Sequence, residues 1–349
     1  MKDSEEGVIL YHSVAIIGSF QKFYQDVKGL IKLFRDNGFF VTSPFDSQIT
    51  ESREAFVIFA DDNRELSNDE IQTDTLRKIL NADAVYVYNP VWRETPSSEE
   101  MPGYVGKTTC YEIGILMAKN RPLYYMNVPF DLPVPVTNEQ LISPQEFIKK
   151  FKSGAIAFHL PKKEQQSDRR ALKAVFEKPS LVICGSMTFY SKMKELKEEL
   201  WSLGIDAEVP EDETELPQNM TDEAFAKFKR KVSKSYFKKI REAGTIAILV
   251  VNEEKRGIPN YIGANTLVEA GMAISWGRRV FIYNNIYEPL EDELIAWDAV
   301  AIHRDLQIIK HFFDKEGIKP DAVSGHLEQL KQYSLFDFQM TVEEGKDEE

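Results

Sequence analysis

Residues 104–114 read YVGKTTCYEIG, and residues 261–271 read YIGANTLVEAG. Tyrosine, two glycines, threonine and glutamate recur at identical spacings, and the match runs from 104–127 onto 261–284 without a gap, at a constant offset of 157 residues. A chain that writes one segment twice folds into two similar units. Two further echoes extend the repeat. VAIIGSF (14–20) parallels LVICGSM (181–187), each an apolar run ending in Gly-Ser. Each is followed by helical periodicity: Phe23, Val27, Leu30, Ile31 and Phe34 in the first copy, Met193, Leu196, Leu200 and Leu203 in the second. Both helices are expected to stop at a left-handed glycine, Gly38 or Gly204.

Short strands are predicted at 39–44 and 205–210, then at 82–89 and 245–252, and last at 121–127 and 278–284. The middle pair, ADAVYVYN and TIAILVVN, are β-branched and aromatic throughout, as strands buried on both faces of a parallel sheet are. Strands alternating with helices at this spacing imply right-handed βαβ units. The expected fold is α/β: two tandem Rossmann-like (flavodoxin-like) domains, each a mostly parallel sheet flanked by helices. The expected boundaries are 8–135 for the first domain and 136–178 for a linker with a short helix at SPQEFIKKF. The second domain is placed at 179–335, with helices at DLQIIKHFF and HLEQLKQY, and an acidic tail at 336–349. Within the linker, AIAF reads as a short strand and PKKEQQSDRR as solvated.

Composition narrows the function. The 349 residues carry a net charge of −13, which argues against a general nucleic-acid binder but leaves room for a small anionic ligand. The N-terminus is acidic where a signal peptide is basic, and no apolar run is long enough to span a bilayer, so a cytoplasmic chain with no membrane partner is expected. Cys110 and Cys184 are the only cysteines and form no CxxC pair. The five histidines (12, 159, 303, 311 and 326) show no metal-ligand spacing, and neither a Walker loop nor GxGxxG occurs. No metal or cofactor is expected.

Gly18-Ser19 and Gly185-Ser186, at the ends of strands that open helices, place backbone N–H groups at positive helix termini suited to a phosphate or carboxylate. The same residues are also ordinary turn and cap choices. Thr109/Glu112 and Thr266/Glu269 form T-x-x-E, the capping-box pattern, in which the glutamate only holds backbone. A capping box requires no upstream aromatic or glycine. Tyr104/Gly106 and Tyr261/Gly263 therefore point to a shaped ligand loop as well.

Gly-Ser after the first strand, Tyr-(Ile/Val)-Gly before Glu-x-Gly, and a strand ending in Asn together resemble the nucleoside 2-deoxyribosyltransferase-like superfamily. It includes deoxyribosyltransferases and deoxynucleoside 5′-monophosphate N-glycosidases. The resemblance covers most of 179–300 closely and 12–130 more loosely. It implies a glutamate nucleophile attacking the sugar C1′, which makes Glu112 and Glu269 the candidates, and a pocket for a nucleoside or nucleotide that includes Asn89, Asn252 and Asn265. The family's second carboxylate corresponds to Asp74 in the first copy, within one residue of register, and to Tyr236 in the second. Sites in the family tend to be completed across a dimer, which implies a homodimer or an internal pseudo-dimer. The expected activity is cleavage or transfer of an N-glycosidic bond; the alternatives are a non-catalytic nucleotide sensor or interaction module, or an NAD glycohydrolase.

Overall fold

The computed structural model describes residues 12–44, 46–52, 57–63, 65–93, 98–130, 132, 134–156, 179–210, 221–242 and 244–316. The first repeat contains β1 (Ser13–Gly18), α1 (Phe20–Asp36), β2 (Phe40–Ser43), β3 (Ile49–Ser52), β4 (Val57–Phe59), α2 (Asn68–Asn81), β5 (Ala84–Tyr88), α3 (Lys107–Ala118), β6 (Leu123–Tyr125) and α4 (Pro144–Lys152). The second contains β7 (Ser180–Gly185), α5 (Tyr190–Ser202), β8 (Asp206–Glu208), α6 (Asp222–Arg241), β9 (Thr245–Val251), α7 (Ala264–Ser275), β10 (Arg279–Ile282), α8 (Glu291–Ala296), β11 (Val300–Ala301) and α9 (Leu306–Glu316).

Two parallel sheets result, ordered β2-β1-β5-β6 and β8-β7-β9-β10-β11. This is the flavodoxin-like order, in which the chain reverses direction beside the first strand and opens a crevice at the carboxyl ends of the strands. The central strands are buried on both faces, which is why their apolar runs are unbroken. Both first helices end as expected. Gly38 and Gly204 take φ +86° and +80°. In each, the residue after the glycine donates back to the helix (Phe39 N to Phe34 O, Ile205 N to Leu200 O), the six-to-one bond of a Schellman motif. Of the predicted face of α1, Phe23 departs: its backbone is non-helical and its ring meets the edge of Tyr88.

The halves are joined through α3 and α7, the helices that carry the repeated motif. A Cβ on Gly114 would lie 2.3 Å from the Val268 carbonyl oxygen, and one on Gly271 would lie 2.4 Å from that of Tyr111. The same offset relates Tyr111 to Val268 and Gly114 to Gly271, so the contact is reciprocal, as across a two-fold axis. The last glycine of each motif thus serves helix packing, and only a residue without a side chain permits that approach. Beside the axis, the Tyr111 ring stacks flat on Trp297, with centroids 3.4 Å apart. One hydrophobic core accordingly spans both repeats, including Ile115, Leu267, Met272 and Trp297. Gly114→Ala is expected to cost about 1–3 kcal/mol through overpacking. Gly29→Ala, on an open face of α1, is expected to gain about 0.5–1 kcal/mol through helix propensity. Urea midpoints of the two variants compare them directly.

Three departures from the expected layout matter. Residues 136–156 belong to the first domain rather than to a linker: Leu141 bridges β6 in parallel where the second repeat has β11, and Phe147 of α4 packs on Phe34 and Tyr86. The apolar side chains of that segment complete the first core. An antiparallel pair, β3–β4, is inserted before α2. A short helix, α8, is inserted before the last strand of the second repeat. AIAF forms no strand at Ala155–Ile156, and its remainder, PKKEQQSDRR, HLEQLKQY and the acidic tail lie outside the described residues.

Candidate active site

A cavity of about 260 Å³ opens at the carboxyl end of β1, at the point where the first sheet's strand order reverses. Glu112 lies in its wall with Gly18, Ser19, Tyr104 and Gly106. Five of the sequence-predicted residues of the first repeat therefore converge. Gln72 and Thr75 of α2, Phe59 of β4, Asp62 beyond it and Pro289 of the second repeat also line it.

The start of α3 decides what Glu112 can do. Gly106 is the N-cap residue and Lys107 the first helical residue, so Thr109 already occupies the third helical position. Gly263 caps α7 in the same way. T-x-x-E is therefore not a capping box at either place: Thr109 and Thr266 are buried, and each glutamate sits in the second turn. A capping box does form elsewhere, where Ser67 N donates to Glu70 Oε2 at 2.8 Å. Freed from capping, Glu112 faces the cavity, and burial, reinforced by the charge of Glu293, pushes its pKa up to about 8.

Glu293 is the residue that sequence reasoning missed. It lies on α8, in the other repeat, and is fully buried. Its Oε1 accepts from Thr108 Oγ1 at 3.0 Å, while Oε2 has no hydrogen-bond partner. Burial raises its pKa to about 7, against the opposing pull of its own backbone amide and the Thr108 hydroxyl. α8 reaches this place by packing on α2, with Asn68 Nδ2 3.5 Å from Asp292 Oδ2. A signal existed: Leu290, Glu293, Leu294 and Trp297 fall on one helical face, a glutamate set inside an apolar stripe.

Gly18 has a structural reason as well as a place in the cavity, since a Cβ there would come within 2.6 Å of the Tyr88 carbonyl oxygen. Ser19 is the N-cap residue of α1. Tyr104 accepts from Lys22 Nζ at 3.1 Å, and that ammonium lies over both the Trp92 and Tyr104 rings, 3.4 and 4.3 Å from their centroids. The arrangement holds a cation against two aromatic faces, with Lys22 and Tyr104 in the cavity wall.

Asp74 is not brought to the cavity. Its carboxylate is paired with Arg77 at 3.3 Å and Lys78 at 2.7 Å, because the residues of α2 that turn inward are Gln72, Thr75 and Lys78. Asn89 and Asn252 do not line the cavity either: both are buried and spent on backbone. Asn89 Nδ2 donates to the Asn127 carbonyl at 2.8 Å, its Oδ1 accepts from Asn127 N, and Asn127 returns a bond to Asn89 O. Asn252 holds the 284–285 turn in a similar way: its Oδ1 accepts from Asn284 N, Asn284 Nδ2 donates to Asn252 O, and its own Nδ2 donates to the next carbonyl, that of Asn285. These asparagines lock the ends of adjacent strands together. Asn89→Ala is expected to cost about 2–3 kcal/mol, because the Asn127 amide loses its acceptor, with a lower denaturation midpoint and an unchanged m-value.

The second repeat arranges its counterparts differently. Ser186 Oγ accepts from Lys255 Nζ at 2.8 Å, and Lys255 also lies over the Tyr261 ring. Gly185 and Gly263 pack on Val251 and Tyr261 respectively. Glu269 is hydrogen-bonded by the buried Cys184 thiol, while burial pushes its pKa up to about 8. Tyr236 is buried and donates its hydroxyl to the Ile183 carbonyl. Asn265, at the position of Thr108, has a buried Oδ1 without a partner. A second cavity, about 330 Å³ and lined by Glu253, Asn284, His303 and Arg304, includes none of the predicted residues.

Among the described residues no cluster of His, Cys, Asp or Glu has the arrangement of a metal site, and no helix is long and apolar enough to cross a membrane. No family model, curated protein or solved structure matches the chain.

Proposed function

We propose that the chain cleaves or transfers the N-glycosidic bond of a nucleoside or nucleotide, with Glu112 as the nucleophile. The observation that carries this reading is the placement of Glu112: a carboxyl group in the wall of a switch-point cavity, not spent on capping and beside a second buried carboxyl. An oxocarbenium-like sugar is stabilised by such a carboxylate, which then bonds to C1′. In this reaction the departing base leaves with the C–N electron pair and is protonated from water. Hydrolysis or a second base then releases the sugar from Glu112. Gly18-Ser19 and Lys22 suit the polar 5′ end of the substrate, and the Tyr104 face suits its ring system.

The second repeat is read as a binding or structural partner. Glu269 is engaged by Cys184, and Tyr236 stands where the family resemblance implies a second carboxylate. The test is incubation of the purified chain with nucleosides, deoxynucleoside monophosphates and NAD, followed by chromatography for free base. Release of base supports the enzyme and identifies the sugar and base. Saturable binding without release by any of them supports the sensor instead.

Glu112 reacts only when ionised, and burial beside Glu293 raises its pKa to about 8. The rate at low substrate is therefore expected to fall tenfold per pH unit below about 8, well above the range of an ordinary carboxylate. A rate flat from pH 8 down to pH 5 would place the reactive group elsewhere.

A further inference from the structure

We propose that Glu293, supplied by the second repeat, is a positioning residue for Glu112: at neutral pH the pair carries a single proton, and Glu293 holds it while Glu112 reacts. The role in reaction rests on Glu112 being the nucleophile; the shared proton is a property of the unliganded protein and is testable without any substrate.

The geometry requires a proton somewhere in this pair. A carboxylate removed from water is costly unless it is paired or fully hydrogen-bonded. Glu293 is 0% exposed, sits among Leu290, Leu294 and Trp297, and forms no ion pair among the described residues. Only one of its oxygens is satisfied, by Thr108. Thr108 and Glu112 are four residues apart on α3 and share a helical face, so the helix that binds Glu293 through Thr108 also turns Glu112 toward it. Around the pair, α3 supplies Thr108 and the Cys110 thiol, and α8 supplies Asp292, whose carboxylate meets Asn68 of α2. Lys22, Asp62, Lys78 and Lys107 line the cavity that Glu112 faces. Two neighbouring carboxyls in such surroundings do not ionise together.

The consequence for reaction is simple to balance. Before reaction the single proton leaves the pair one negative charge rather than two. As C1′ becomes positive that proton comes to rest on Glu293, so the one negative charge lies on Glu112, the group that attacks. Glu112 contributes the electron pair to C1′, and the base takes the pair of the broken C–N bond. No counterpart of α8 stands before α4 in the first repeat among the described residues, so Glu269 receives no such partner and meets Cys184 instead.

Carboxyl carbon-13 titration of the full chain, labelled at glutamate Cδ, tests this directly, with Glu112 assigned by its loss in Glu112→Gln. In Glu293→Gln, which still accepts from Thr108, the Glu112 midpoint is expected to move down by about one pH unit or more. In Thr108→Val the donor that favours ionised Glu293 is lost, so Glu293 holds the proton more firmly and the Glu112 midpoint moves down by a smaller amount. A midpoint unmoved in both folded variants overturns the proposal, and Thr108→Val decides the matter if Glu293→Gln does not fold. If the midpoints move but no substrate releases base, the proton pair stands and the glycosidase reading fails. If base is released, its pH profile should move with the midpoint.

Discussion

Glu112→Gln is expected to lower base release by about 10⁴-fold, while Glu269→Gln leaves it within about threefold of the parent. The two glutamates sit at equivalent positions of the repeat, yet their surroundings assign them different work. Glu112 lines a cavity with Ser19 and Tyr104 and faces Glu293. Glu269 accepts from a cysteine and lines neither of the two cavities described. The amide keeps the size and removes the nucleophilic charge, so the loss should appear in kcat with KM little changed. Equal losses in both variants, or loss only in Glu269→Gln, would reverse the assignment.

A second large effect concerns stability. Glu112, Glu269 and Glu293 have pKa values raised from 4.5 to about 8, 8 and 7 by burial. Between those limits the folded chain binds protons that the unfolded chain has released. Unfolding free energy therefore falls as pH rises: the favourable contribution is whole below about 4.5 and is gone by about pH 8. Each pKa unit corresponds to about 1.4 kcal/mol, and allowing for water entry and relaxation we take about 3 kcal/mol for Glu269 alone. Glu269→Gln should thus melt higher than the parent at pH 8.5, by about 2–4 °C for each kcal/mol, and nearly equal to it at pH 4.5. Calorimetry across that range reads the effect without reference to activity. A melting difference independent of pH would contradict the burial of an ionisable Glu269.

Much of this architecture was written locally. Strands buried on both faces need continuous apolar runs, and both Gly-Ser ends and both terminal glycines of α1 and α5 were visible as such. The cavity wall was legible where it is formed by a contiguous motif, Tyr104 to Glu112, because one turn of loop and two of helix place those residues together. Other parts depended on tertiary context. T-x-x-E looks the same whether a helix begins at its threonine or three residues before, and here it begins before. Asn89 and Asn252 look the same as ligand donors or as clamps on a neighbouring turn, and burial makes them clamps. Glu293 comes to Glu112 from nearly two hundred residues away, through packing of α8 on α2 that no local spacing encodes. The last glycine of the motif carried a packing signal, visible only once α3 and α7 were seen face to face.

The central claim is that Glu112 forms a bond to the sugar carbon. Acid-quenched turnover with whichever substrate releases base, followed by peptide-resolved mass spectrometry, tests it most directly. A glycosyl mass on the peptide containing Glu112, absent in Glu112→Gln, is the predicted result. A glycosyl mass on the Glu269 peptide, or continued release of base by Glu112→Gln, would contradict it.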